Sequence, residues 1–204
     1  MHNTSSLTGI IRAVFVLTSV LGLLLDAPRA GAQASPLGLW SFEGVTKVTA
    51  CAQGRCQSRK TSVTDFFSVD GDGTFAYGLV TSETCPDAPP ILGQWRTKRS
   101  GRTILRGTNV GAWWAAVSAC DDSGIVIHGR RFAGTMDVDQ RTLHVVQPAS
   151  STFRGVFVTL RIVGRFTIAP VADSSAGAFV AEASARAAAP LAAVVRALIA
   201  DVSS

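Results

Sequence analysis

Val156-Phe157-Val158-Thr159-Leu160-Arg161-Ile162-Val163-Gly164-Arg165-Phe166-Thr167-Ile168 is the stretch that decides the fold. Successive side chains of an extended chain point to opposite sides. Val156, Val158, Leu160, Ile162, Phe166 and Ile168 therefore share one face, and Thr159, Arg161, Arg165 and Thr167 share the other. One face is buried and the other meets water, as in an antiparallel sheet packed on one side. Upstream, short runs rich in β-branched and aromatic residues predict strands near 39–51, 56–69, 73–83, 91–98, 102–108, 110–119, 124–137, 141–147 and 153–168. Turn chemistry separates them at Asp70-Gly71-Asp72-Gly73, Arg99-Ser100-Gly101 and Asp121-Asp122-Ser123-Gly124. No stretch between strands has the length and period of a crossover helix, so the chain meanders. Val110 to Cys120 is apolar on both faces, with Trp113 and Trp114 pointing opposite ways, which implies a strand covered on both sides or a greasy outer patch. A meander of this size removes its exposed edges by closing. The expected fold is all-β: an antiparallel up-and-down barrel of about eight to nine strands, followed by a C-terminal helix.

The ends carry different signals. One arginine lies within Met1 to Arg12, and Ala13 to Leu25 is apolar apart from Thr18, Ser19 and Gly22. Pro28 and the small-x-small pairs Ala30-Gly31-Ala32 and Ala32-Gln33-Ala34 follow. The apolar run is too short to span a bilayer, and the whole reads as a signal peptide over 1–32, cleaved near Ala32 or Ala34. The expected location is secreted or periplasmic, with no transmembrane anchor in the mature form. The barrel is expected over 36–169 and an alanine-rich helical tail over 170–204. In that tail Leu191, Val194, Val195, Leu198, Ile199 and Val202 recur at helical spacing after Pro190, within a helix or helices drawn over 176–202.

Removing 1–32 takes away Arg12, Arg29 and Asp26, so the formal +5 of the chain becomes +4. That mild basicity favours anionic partners without saying which. Cys51, Cys56, Cys85 and Cys120 all lie in the mature part, and an even count in an exported chain reads as two disulfides. Cys51-Ala52-Gln53-Gly54-Arg55-Cys56 looks like a tight hairpin that sets two sulfurs opposite each other, which favours Cys51–Cys56 with Cys85–Cys120 among the three pairings. Zinc is disfavoured, because no histidine stands at ligand spacing.

Catalytic and cofactor signals are thin. Ser68 to Gly73 resembles the front of a calcium loop, but the late glutamate is replaced by Leu79, and a hairpin turn accounts for its glycines. His128 and His144 sit inside predicted strands, and no serine or cysteine has a nucleophile-elbow context. Asp121 and Asp122, being adjacent, point to opposite faces in extended chain. An enzyme would need Asp121, Asp122, His128 and His144 to gather in one cleft. No catalytic residue, cofactor or metal is expected. The basic run Trp95 to Arg102, joined by Arg106, reads as a solvated hairpin tip, and nucleic acid is not an expected partner.

Gly38-Leu39-Trp40 resembles the Gly-x-Trp signature that opens the barrel of lipocalins and related calycins. The strand meander, an arginine in the last strand (Arg161 or Arg165) and a helix after it extend the likeness over most of 38–202. The resemblance implies a barrel floor closed by Trp40, with Arg161 or Arg165 packed across the indole. It also implies an interior able to hold a small hydrophobic molecule, with Phe42, Phe67, Phe75, Tyr77 and Trp113 as wall residues. The expected function is a non-catalytic exported barrel binding such a ligand. The alternative is a protein-binding module, such as a secreted hydrolase inhibitor; a protein or an anionic surface is the other partner expected besides a small hydrophobic molecule. An internal cavity favours the first, and a filled barrel with a rigid Cys51 to Cys56 loop favours the second.

Overall fold

The computed structural model describes residues 34–78, 89–120, 123–172 and 189–204. The expected signal peptide, Cys85, Asp121, Asp122 and the first part of the tail lie outside the described residues. Nine strand segments, β1 (Gly38–Ala52), β2 (Arg55–Val69), β3 (Thr74–Tyr77), β4 (Ile91–Thr97), β5 (Thr103–Gly107), β6 (Ile127–Gly129), β7 (Ala133–Asp137), β8 (Thr142–Phe153) and β9 (Val156–Pro170), form one antiparallel sheet. Among the described residues two helices accompany them, α1 (Val110–Ala119) and α2 (Ala189–Val202). Each strand pairs with its neighbours in a meander, and β9 pairs with both β8 and β1, so the sheet closes into an up-and-down barrel. β6 and β7 lie along the same side of β8, at Ala149 to Ser151 and Thr142 to Val146, and together make one interrupted stave.

Local chemistry sets the joints. The β1–β2 turn is Gln53-Gly54 and the β8–β9 turn is Arg154-Gly155, all four residues at positive φ. This is the two-residue hairpin geometry whose twist matches the strands, and glycine takes its second position without strain. At the β2–β3 turn, Asp72 Oδ1 accepts hydrogen bonds from the Thr74 hydroxyl (2.6 Å) and the Thr74 N–H (2.9 Å). Those bonds hold the Asp72 carboxyl below its ordinary value.

The β2–β3, β4–β5 and β7–β8 turns lie at the end of the barrel that holds Trp40, called here the lower end. The Cys51–Cys56 hairpin, α1 and the β8–β9 turn lie at the other. Long strands β1, β2, β8 and β9 supply most of the upper wall. Among the described residues, the upper half of β2 has β1 as its only strand neighbour. α2 packs mainly on β1 and β2 and also touches β8. Its Val195, Leu198, Ile199 and Val202 are buried, as are Val48, Ala50 and Ala52 on the inward-facing parity of β1. α2 is thus built into the core. Arg59, which shares a face with Val48, pairs with Asp201 of α2 at 2.7 Å. Arg196 Nη2 donates to Val117 O at 2.7 Å, where a cation suits the carbonyl end of α1.

Three sequence expectations change. Residues 110–119 form α1 and not a strand, and Trp113 moves with them onto a helix. Val110, Trp114 and Val117 are the buried positions, at helical spacing, and β5 takes β7 as its next partner. The strand drawn over 124–137 is divided in two around 130–132. Finally, β8 runs straight through Pro148, because the missing N–H falls opposite that interruption, where no ladder partner stands on that side.

Candidate functional site

The wall residues expected on strands do face inward, but toward one another. Trp40 stacks on Phe67 (centroids 6.4 Å apart), Phe67 meets Phe42 (6.1 Å), and Phe42 meets both Tyr77 (4.9 Å) and Phe166 (4.8 Å). Tyr77 then contacts Phe132 (4.7 Å), which contacts Phe75 (5.8 Å). All except the half-buried Tyr77 are buried. The rings occupy the space that a ligand in the lower barrel would take. Trp113 lies apart from this chain, half-buried and edge-on to Trp114 (4.7 Å).

Trp40 is buried near the start of β1, its indole N–H donating to Pro36 O at 2.9 Å. Arg161 and Arg165 are not across it. They are exposed, on the opposite parity of β9 from Ile162 and Phe166, and their register partners on β1 are Thr49 and Val45. Trp40 is in register with Pro170 instead, and its ring neighbour is Phe67.

Burial raises the Tyr77 phenol well above its ordinary value, and the charge of Asp65 adds to the effect. The folded state therefore keeps this proton longer than the unfolded chain, and that contribution to stability is complete below about pH 10 and lost as pH rises beyond it. Tyr77 is the chain's one tyrosine. Its ultraviolet titration is expected to stay flat past pH 10 and to rise together with global unfolding. Ionisation near pH 10 in the still-folded protein would show the phenol to be open to water.

The upper interior also holds polar side chains. Gln147 and Ser151 of β8 and Thr46 of β1 are buried there, and Ser151 donates to Val126 O at 2.7 Å. The indole N–H of Trp114, fully buried, and the side-chain amide of Gln147, 4% exposed, have no acceptor among the described residues. Trp114 lies against Gly129, which is in register with Ala149, two residues along β8 from Gln147. The two unmatched donors thus belong to side chains placed around the same stretch of β8.

The histidines do not assemble a catalytic cluster. His128 is in register with Ser150, whereas His144 lies six residues earlier on β8, roughly 20 Å away along the strand, and both are exposed. Trp95 of the basic run is half-buried and donates its indole N–H to Asp70 O at 2.8 Å, so its ring is tied into the barrel end. Cys51 and Cys56 form the expected disulfide across the hairpin, with Cα atoms 4.1 Å apart. Cys120 is also disulfide-bonded, and its expected partner Cys85 lies outside the described residues.

The outer wall of β8, β9, β1 and β2 shows a feature that no linear motif contains. Lys47 is directly opposite Lys60, and its other neighbour Val163 is flanked on β9 by Arg161 and Arg165. Arg165 in turn is opposite His144. Lys47, Lys60, Arg161 and Arg165 are exposed, and none makes an ion pair among the described residues. Like charges directly opposed across a sheet cost stability, so this arrangement works against the fold.

No protein-family profile and no curated protein matches the chain. Among solved structures it is similar to the ywiB protein from Bacillus subtilis, at 9% identity and a TM-score of 0.25, over 64% of this chain and 91% of that one. So slight a likeness supports no statement of function.

Proposed function

We propose that this chain is an exported, non-catalytic binding protein that acts through the outside of a filled barrel. The observation that carries the reading is the ring-to-ring contact of Phe42, Phe67, Phe75 and Tyr77 through Phe132: the residues expected to wall a ligand pack against one another. The Cys51–Cys56 disulfide supports an oxidising compartment, and among the described residues no helix is long and apolar enough to cross a membrane. A disulfide-locked hairpin at one end and an unpaired basic wall give the exterior two features fit for recognition.

A second reading is favoured by Trp114 and Gln147. Two buried donors without acceptors cost about 1–3 kcal/mol each, and a small, largely apolar molecule bearing a carbonyl or carboxylate oxygen would relieve both. Native against denaturing mass spectrometry of the chain recovered after export separates the readings. The surface reading expects the same mass in both. A small molecule released on denaturation would move the working site into the upper barrel, and Gln147→Leu would then be expected to lose it.

A further inference from the structure

We propose that the outer face of β8, β9, β1 and β2 docks on an anionic lipid surface. This rests on the reading of the exterior as the working surface, and it names the partner.

The face is broad rather than grooved. Three strand spacings, roughly 14 Å, separate β8 from β2, and the four residues from Arg161 to Arg165 add roughly 13 Å in the other direction. Lys47, Lys60, Arg161 and Arg165 occupy this area with no acidic side chain in register beside them. Glu43, the acidic residue on the same face of β1, stands four residues from Lys47, in register with Thr64 and Thr167. Such a cluster of unpaired cations is relieved by negative charge brought from outside.

Apolar groups between and beyond the cations decide in favour of a bilayer. Val45, 45% exposed, is in register with Arg165, and the partly buried Val163 and Val146 continue the row of Lys47 and Lys60. Phe157, 61% exposed, projects from the same face of β9 nearer the β8–β9 turn. A hydrated polyanion would leave these side chains in water. A membrane interface takes up aromatic and aliphatic tips while its head groups meet the lysines and arginines.

The test uses the chain recovered from an exporting host, its disulfides formed and its N terminus read by mass. Co-sedimentation is measured with vesicles of pure phosphatidylcholine and with vesicles containing phosphatidylglycerol. Binding to the anionic vesicles alone is expected, and it should weaken steeply with added salt. Each cation near such a surface is worth about a fivefold change in partition, so Lys60→Glu, which removes two charge units, should lower binding about 25-fold. The same substitution places a carboxylate opposite Lys47, so folding stability should hold or rise. Arg161→Gln with Arg165→Gln should also lower binding about 25-fold. Wild-type failure to bind anionic vesicles, or undiminished binding by Lys60→Glu, overturns the proposal. Capture by soluble dextran sulfate without vesicle binding also overturns it, while leaving the exterior as the working surface. If both surfaces are ignored and a small molecule is released on denaturation, the underlying reading fails as well.

Discussion

Replacing Leu198 with Asp is expected to abolish cooperative folding of the barrel, and replacing it with Ala to cost about 2–5 kcal/mol. Leu198 is fully buried, between Val195 and Val202 on the face of α2 that packs on β1 and β2. A carboxylate there would stand among buried Val195, Ile199 and Val202, and burying it costs several kcal/mol, comparable with the whole stability of a domain of this size. The wall makes the matter acute. The upper half of β2 has strand support from β1 alone among the described residues, so without α2 the inner face of Val48, Ala50 and Ala52 opens to water. Ala193 and Ala200, exposed on the same helix, supply the control: aspartate at either should shift stability by no more than about 0.5 kcal/mol. Urea unfolding followed by tryptophan fluorescence measures all of these. A cost below about 1 kcal/mol for Leu198→Ala would mean that α2 is only loosely attached.

The helical stripe of α2 is plain in the sequence, but not the surface that receives it. Val48, Ala50 and Ala52 read equally well as inner wall of a closed barrel, whereas among the described residues the upper half of β2 pairs with β1 alone and α2 packs there. Residues 110–119 mislead for a related reason. Their apolar residues fit a strand buried on both faces, yet Val110, Trp114 and Val117 also fit one stripe of a helix, and the alanines favour that form. The decision belongs to the partners: β7 already occupies the edge of β5.

Arg161 and Arg165 teach the reverse lesson. The alternation that opened the sequence reading already put them on the polar face with Thr159 and Thr167, and the expectation that one would pack across Trp40 conflicted with it. The alternation prevails because it is a local geometric necessity of a strand. The basic wall was half legible by the same logic. A two-residue turn at Gln53-Gly54 sets Lys47 opposite Lys60 as surely as it sets Cys51 opposite Cys56, and the turn at Arg154-Gly155 sets His144 opposite Arg165. Bringing the two hairpins together needs the β1–β9 register, which is a property of closure and leaves no mark in either segment alone.

Gly129→Ala is expected to destabilise the protein by about 3 kcal/mol, with nearly all of that cost residing in one side chain across from it. The backbone at Gly129 has no positive φ, so an alanine would sit in this strand without conformational strain. In a strand it would ordinarily help by about 0.5–1 kcal/mol through reduced unfolded-state freedom. A Cβ there would stand 1.9 Å from Trp114 Cδ1 and 2.5 Å from its Nε1, and 3.0 Å from Val110 Cγ1. Trp114 is fully buried and cannot swing into solvent, so α1 would have to lift from β6, as overpacked cores do. Trp114→Leu removes the obstructing ring. In that background the same Gly129→Ala change should be close to neutral, a coupling of more than about 1.5 kcal/mol between the two positions. Equal costs in both backgrounds would mean that α1 does not rest on β6 through Trp114. Gly44 supplies the contrast, since a Cβ there would meet Arg165 O at 2.2 Å and the Phe166 Cα at 2.9 Å. The obstacle in that case is the backbone of β9 at the seam where the barrel closes, so shortening a side chain cannot relieve it, and Gly44→Ala should remain costly in every background.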